Sequence, residues 1–335
     1  MASKTPINLA LQGGGAHGPF TWGVLDRILE DDRVRIAAIS GTSAGAMNAA
    51  AVADGLTQGG REAARQRLEA FWTGISEMAG VGPWLRGPVE LMTGSWNLDM
   101  SPAYWALDAA KRAFSPYQFN PMGMNPIRDI LADQIDFERV RSCDQLQLFV
   151  SATNVRTGRI RVFDRDELTP DTVMASAALP QVYQAVEIDG EAYWDGGFMG
   201  NPPIFPLIYE SDCPDVVIVQ INPIEREHVP TTPHEIANRM NEISFNSSLL
   251  RELRAISFVT DLVDKGELDA GKHKRIFLHR VPPASAMLEY GASSKFNPEF
   301  AFLAHLRDLG RASAAHWLDQ TADKLGRQST IDFKI

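Results

Sequence analysis

Three short stretches of this sequence hold residues whose types and spacing could do covalent chemistry. The first is Gly41-Thr42-Ser43-Ala44-Gly45. In a Gly-x-Ser-x-Gly pentapeptide between a strand and a helix, the serine sits at the apex of a sharp turn and exposes its hydroxyl above the sheet. Side chains at the two flanking glycines would collide with the backbones passing there. The second is Gly13-Gly14-Gly15-Ala16-His17-Gly18, where successive glycines free backbone N–H groups to converge on an anion. The third is Asp195-Gly196-Gly197, a carboxylate followed by two residues that let the chain turn tightly and leave it unobstructed. A serine hydroxyl needs a base to become a nucleophile. Of the seven histidines, only His17 sits in a glycine-rich turn, so a carboxylate is the alternative base if it reaches the serine directly.

Each stretch has a plainer reading. Ser43 could be an ordinary helix-start serine, the glycine run a flexible loop, Asp195-Gly196 a simple turn, and His17 a packed side chain that merely lines the site. The glycine run could also cradle a phosphate. Gly13, Gly15 and Gly18 satisfy a loose Gly-x-Gly-x-x-Gly, but no Gly-Lys-Ser/Thr is present and no acidic residue follows at the ribose distance. The oxyanion hole is the better match.

The elements that must position these residues are legible. Ile7 to Leu11 reads as a strand, Pro19 to Glu30 as a helix with an apolar stripe, Val34 to Ile39 as a buried strand and Ala44 to Val52 as a helix. A β-α-β unit makes the two strands parallel neighbours and brings both glycine-rich turns to one carboxyl edge of the sheet, where open α/β sheets bind ligands. Further on, Arg61 to Phe71, Ala103 to Phe114, Pro126 to Ile135 and Asp171 to Leu179 read as helical, and Gln145 to Thr153 and Arg159 to Phe163 as strands. Val182 to Ile188 and Glu191 to Trp194 flank Asp189-Gly190, a type I′ hairpin signal that delivers Asp195. Asp215 to Asn222 and Arg275 to Val281 are strands, and Pro233 to Lys265 and Glu299 to Leu325 are helical; Lys272 to Arg275 is a solvated basic loop. The expectation is one α/β domain over 1–335, with a mainly parallel central sheet and helices on both faces. Its catalytic core is 7–222, with a cap or lid insertion at 74–126 and a mostly helical extension at 232–335.

Residues 74–126 are apolar, with Trp84, Trp96 and Trp105 and five methionines interleaved with Gly and Pro. These side chains are either ordinary core or an adaptable surface for acyl chains and a bilayer. The chain has 335 residues, 44% of them apolar and 22% charged, enough for a sizeable core. Its formal net charge of −10 and lack of a basic tract argue against nucleic acid as a partner. Cys143 and Cys213 are too few for a disulfide framework, which fits a reducing compartment. No signal-like leader and no 18-residue apolar run are present, so the expected location is cytoplasmic, with any membrane contact peripheral.

The three motifs in this order resemble those of the patatin-like phospholipase family. So do Ser176-Ala177-Ala178-Leu179-Pro180 before the acidic motif and Asn201-Pro202 after it. The resemblance spans roughly 7–222. It implies lipid acyl ester hydrolysis by a Ser-Asp dyad without metal or cofactor: Ser43 as nucleophile, Asp195 as base, and the N–H groups of Gly13, Gly14 and Gly15 as oxyanion hole. Gly41, Gly45, Gly196 and Gly197 shape the turns. The family usually carries Arg or Lys where this chain has His17, a side chain only partly charged near neutrality, and this bears on head-group preference and pH profile. A thioesterase or short-chain esterase with the same dyad, and a lipid-binding protein with a vestigial dyad, are the competing readings. Head group, chain length and oligomeric state are not encoded in the motifs.

Overall fold

The computed structural model describes residues 4–80, 85–269 and 273–331. Trp84 and Lys272, named above, lie outside the described residues. In chain order, β1 (Thr5–Leu11) leads through a 3-10 turn into α1 (Gly18–Glu30), and β2 (Val34–Gly41) into α2 (Ala44–Ala79). Short helices follow: α3 (Pro88–Thr93), α4 (Pro102–Ala113), α5 (Pro116–Phe119), α6 (Pro126–Gln134) and α7 (Phe137–Arg141). Then come β3 (Gln147–Asn154), β4 (Ile160–Asp164), α8 (Pro170–Ala175), β5 (Val186–Ile188) and β6 (Glu191–Asp195). The chain continues with α9 (Phe205–Tyr209), β7 (Asp215–Val219), α10 (Pro233–Asp264), β8 (Phe277–Val281) and α11 (Phe300–Thr321).

The strands form one sheet in the order β5-β6-β3-β2-β1-β7-β8, with β4 paired to β3. Pairings β2–β3, β1–β2, β1–β7 and β7–β8 are parallel, whereas β3–β4, β3–β6 and β5–β6 are antiparallel. Both faces of the parallel part are covered, which is why its strands read as continuous apolar runs rather than alternating ones. Side-chain alternation still assigns the faces. Ile7, Leu9, Leu11, Val217 and Val219 join the larger core with α1, α2 and α11. Ala10, Val216 and Ile218 join a smaller one with Ile204 and Leu207 at α9 and Leu249, Leu253 and Ile256 of α10.

Three elements differ from their sequence reading. The two helices expected either side of residue 60 are longer than read and meet directly at a sharp kink, where Gly59 and Gly60 leave helical dihedrals. The helix expected over Asp171–Leu179 ends at Ala175, because the residues after it turn to bond β6: Asp195 N–H donates to Ala178 O at 2.9 Å and Gly196 N–H to Ser176 O at 3.1 Å. The hairpin arm starts at Val186 rather than Val182, whose N–H folds back onto Leu179 O at 2.9 Å. Its turn is as read, with φ of 52° at Asp189 and 79° at Gly190, the two positive values a type I′ turn needs.

Within 74–126, residues 74–79 are the last turns of α2, and the aromatic side chains divide between core and surface. Trp96 stacks on Phe302 at 5.4 Å under the Arg86 guanidinium, which pairs with Glu299. Trp105 is half exposed, α4 buries no residue, and Met92 and Met122 are more than four-fifths exposed. Cys143 and Cys213 are both free and buried.

Candidate active site

The serine and acidic turns meet at the carboxyl edge of the parallel strands. β2 ends at Gly41, and Ser43 follows with φ 55° and ψ −123°, a left-handed conformation that a non-glycine residue adopts only when its surroundings impose it. The flanking contacts are as tight as the pentapeptide implies: a Cβ on Gly41 would lie 2.7 Å from the Gly45 backbone. The turn is held by its neighbours as well. Thr42 Oγ1 donates to Gly200 O at 2.7 Å, and Ser43 N–H donates to Ser176 Oγ at 2.8 Å.

Asp195 ends β6, which runs antiparallel to β3 with Asp195 opposite Ala152. Its carboxylate accepts a hydrogen bond from Gly197 N–H at 2.7 Å and lies beside the Ser43 hydroxyl, which helps to hold its charge. Ser176 thus bonds both turns: its hydroxyl receives the Ser43 N–H and its carbonyl the Gly196 N–H. This gives the Ser-Ala-Ala-Leu-Pro block a physical task, the fixing of one turn against the other.

β1 ends beside β2, and the glycine loop packs onto the serine turn. A Cβ on Gly13 would lie 2.8 Å from Ser43 Cβ, so the approach requires glycine there. Gly13 N–H is taken by Asn201 Oδ1 at 2.7 Å. The N–H groups of Gly14 and Gly15 open the 3-10 turn, where backbone donors have no acceptor within the helix. Below the loop, Gln12 is a buried hub. Its Oε1 accepts from Ile221 N–H and Asn222 N–H, both at 2.9 Å, and its Nε2 donates to Asn246 Oδ1 at 3.0 Å. Asn222 Nδ2 in turn donates to Gly13 O at 3.0 Å.

Burial sets the electrostatics. Asp195 is 1% exposed, and loss of water pushes its carboxyl up to about 7, partly offset by the Gly197 hydrogen bond, the neighbouring Ser43 hydroxyl and the Lys295 charge. Burial brings the Lys295 ammonium down to about 8. His17 departs from its sequence reading. Burial, followed by repulsion from Lys295, lowers its imidazole to about 3, so it is neutral near pH 7 instead of partly charged. It bonds Ser294 Oγ at 2.8 Å and packs against Tyr290 and Phe302. The positive charge beside the glycine loop comes from Lys295.

Ser43, Asp195 and the glycines of the three motifs therefore gather in one place. Sequence reasoning missed Gln12, Asn222, Asn246 and Lys295, and it named Ser176 only within the Ser-Ala-Ala-Leu-Pro block, without a task. Each is a polar residue in an unremarkable stretch, and the only available signal was an Asn or Gln inside or just beyond an apolar strand, as at Gln12 and Asn222. α10 adds a feature that periodicity could have shown: Ile236, Met240 and Ile243, spaced i, i+4, i+7, are all exposed on the helix that carries Asn246. Among the described residues no cluster of three or more His, Cys, Asp or Glu could hold a metal ion, and no helix is long and apolar enough to cross a membrane.

A mostly parallel α/β sheet with a serine turn, an acidic turn and a glycine loop at its carboxyl edge defines the class. A family model described as patatin-like phospholipase matches residues 9–208, and the chain belongs to that family. Lipid acyl hydrolysis is the activity class that membership carries. Among solved structures, VipD from Legionella pneumophila is 15% identical with a TM-score of 0.43, over 94% of this chain and 67% of that one. Full-length ExoU, solved with SpcU from the type III secretion system of Pseudomonas aeruginosa, is 16% identical with a TM-score of 0.33. That match covers 95% of this chain and 53% of that one, so the chain spans about half of ExoU. No curated protein sequence matches.

Proposed function

We propose that the protein is a serine acyl hydrolase that cleaves carboxylic ester bonds of lipids through a Ser43–Asp195 dyad. The observation that carries this reading is the convergence of the strained Ser43 turn on a buried carboxylate, Asp195, with Ser176 bonded to both turns. Asp195 takes the Oγ proton as Oγ bonds to the ester carbonyl carbon, whose oxygen gains the negative charge. The N–H groups of Gly14 and Gly15 receive that oxyanion, a contribution of about 2.7–4 kcal/mol per donor. Collapse expels the alcohol, which leaves with the proton from Asp195. Water, deprotonated by Asp195, then attacks the acyl-enzyme, releases the fatty acid and restores Ser43. A carboxyl raised to about 7 is a base matched to neutral pH. Gly13 lets the loop approach Ser43, and neutral His17 is a packing residue beside it.

The acyl chains have two apolar surfaces to meet: the exposed methionines and Trp105 of 74–126, acting as a cap, and the Ile236-Met240-Ile243 stripe of α10. The protein works at a lipid surface from the cytoplasmic side as a peripheral enzyme. The test is labelling by a fluorophosphonate probe, wild type beside Ser43→Ala, followed by p-nitrophenyl esters of increasing chain length. Labelling that depends on Ser43 and turnover that rises with chain length support the reading. A preference for the shortest esters points to a short-chain esterase, and absence of labelling in folded protein with lipid present leaves a lipid-binding protein with a vestigial dyad.

A further inference from the structure

Lys295 lies beyond the family-matched residues, in a 3-10 turn (Ser293–Phe296) before α11, yet it is built into the candidate site. Its Nζ donates to Asn222 Oδ1 at 2.8 Å and to Asn241 Oδ1 at 3.2 Å, and lies 5.9 Å from the centre of the Phe245 ring. Its backbone abuts the glycine loop, since a Cβ on Gly15 (φ +57°) would sit 2.8 Å from Lys295 O. We propose that Lys295 is a positioning residue of the acyl-transfer reaction. Its ammonium orients the Gly13–Gly14 peptide through Asn222 and lends positive charge to the Asp195 carboxylate. The inference rests on the Ser43–Asp195 reading above.

The first half of the argument is geometric. An ammonium can only donate, so the Asn222 oxygen must face Lys295 and the Asn222 nitrogen is thereby committed to Gly13 O. The carbonyl of Gly13 and the N–H of Gly14 belong to one planar peptide. A donor held on that oxygen fixes where the N–H points, and a cation at the far end of the chain polarises each bond in turn. Lys295 thus acts on an oxyanion donor without touching the substrate.

The second half concerns charge. The groups whose fields reach Lys295 are Glu242 and Asp195, which attract it, and Arg226, which repels it. Glu242 on α10 is already shared by two guanidiniums, Arg226 and Arg239, the latter at 3.0 Å. Its attraction on Lys295 is the larger of the two, and Asp195 is the second carboxylate within the field of the ammonium. His17, on the other side, is neutral and bonded to Ser294 Oγ, and Tyr290 beside it bonds His305. Burial keeps Lys295 near 8 and Asp195 near 7, so both charges titrate inside an accessible range.

The experiment is a pH profile of kcat/KM for p-nitrophenyl butyrate, an uncharged ester, from pH 5 to 9.5. Wild type, Lys295→Gln and Lys295→Arg are compared, with fluorophosphonate labelling of each. Wild-type activity is expected to rise through about 7 as Asp195 ionises and to fall above about 8 as Lys295 loses its proton. Gln keeps a donor but no charge. K295Q is expected to lose about tenfold to hundredfold at pH 7, less than loss of a whole oxyanion donor. Its acid limb moves to higher pH and its alkaline limb disappears. K295R keeps the charge, and its alkaline limb moves beyond pH 9.5. An equal, pH-independent loss in both variants, or an unchanged profile in K295Q, overturns the proposal. Should K295Q fail to fold, the wild type decides alone: folded protein with no fall in kcat/KM between pH 7.5 and 9.5 also overturns it. Folded wild type that neither labels nor turns over strikes the Ser43–Asp195 reading instead, a separate failure.

Discussion

Replacing Asp195 by Asn should cut turnover sharply and stabilise the protein, and the stabilisation should depend on pH with a definite sign. Asp195 is 1% exposed, and burial lifts its carboxyl from the ordinary 3.8 to about 7. The folded state therefore holds this proton more tightly than the unfolded state. The stability of the protonated form is present in full below about pH 4 and is lost progressively as pH rises through about 7. The raised value corresponds to about 4 kcal/mol against the ionised, folded form at pH 8.5, and about 2 kcal/mol at pH 5, where the unfolded carboxyl already prefers to ionise. Asn carries no charge at any pH and escapes this cost. Its amide can still accept from Gly197 N–H and face Ser43. Thermal melts of wild type and D195N at pH 3.8, 5 and 8.5 measure the effect, because apart from Lys295, which Asp195 attracts, the groups of the two chains titrate alike. The expected Tm advantage of D195N is near zero at pH 3.8 and several degrees at pH 8.5. Turnover falls about 10²–10⁴-fold, the usual worth of a general base. A D195N protein that melts below wild type at pH 8.5, or with the same gap at every pH, would refute the argument that the site holds a desolvated carboxylate at the expense of stability.

The strained nucleophile turn makes a second prediction: Ser43→Gly should be more stable than Ser43→Ala by about 1 kcal/mol, since both lose the hydroxyl and only glycine accepts φ 55° freely. Equal melting temperatures would count against strain at this residue. Ser176→Ala leaves the buried Ser43 N–H without its acceptor and should cost about 1–3 kcal/mol in denaturant melts, while slowing fluorophosphonate labelling. Normal labelling in that variant would show that the serine turn does not need the tie. Changing the exposed Met92, Met122 and Met124 together to Ser should leave stability within about 0.5 kcal/mol per site and hydrolysis of p-nitrophenyl butyrate intact. The same variant should hydrolyse phospholipid vesicles more slowly, and an undiminished vesicle rate would remove the cap from lipid contact.

Much of this protein can be read locally. The serine turn, its glycines, the β-α-β start and the Asp189-Gly190 hairpin each depend on residues adjacent in the chain, where steric rules and strand or helix periodicity act over a few positions. The order of motifs and the parallel pairing of β1 with β2 follow from the same local information plus the handedness of the crossover. What the linear pattern could not show is which distant polar groups close on these turns. Lys295 is one lysine among ordinary surface residues until Asn222, Asn241 and Gly15 are brought to it. Gln12 and Asn246 are unexceptional until the loop after β7 lies between them. His17 is the sharpest case: in sequence it is a titratable side chain in a glycine turn, and only the packing of Tyr290, Phe302 and Lys295 around it makes it neutral. Charge state and hydrogen-bond closure depend on desolvation and on partners hundreds of residues away. The turns and the reactive groups on them are local in origin, whereas long-range packing sets which of those groups is charged and what holds it in place.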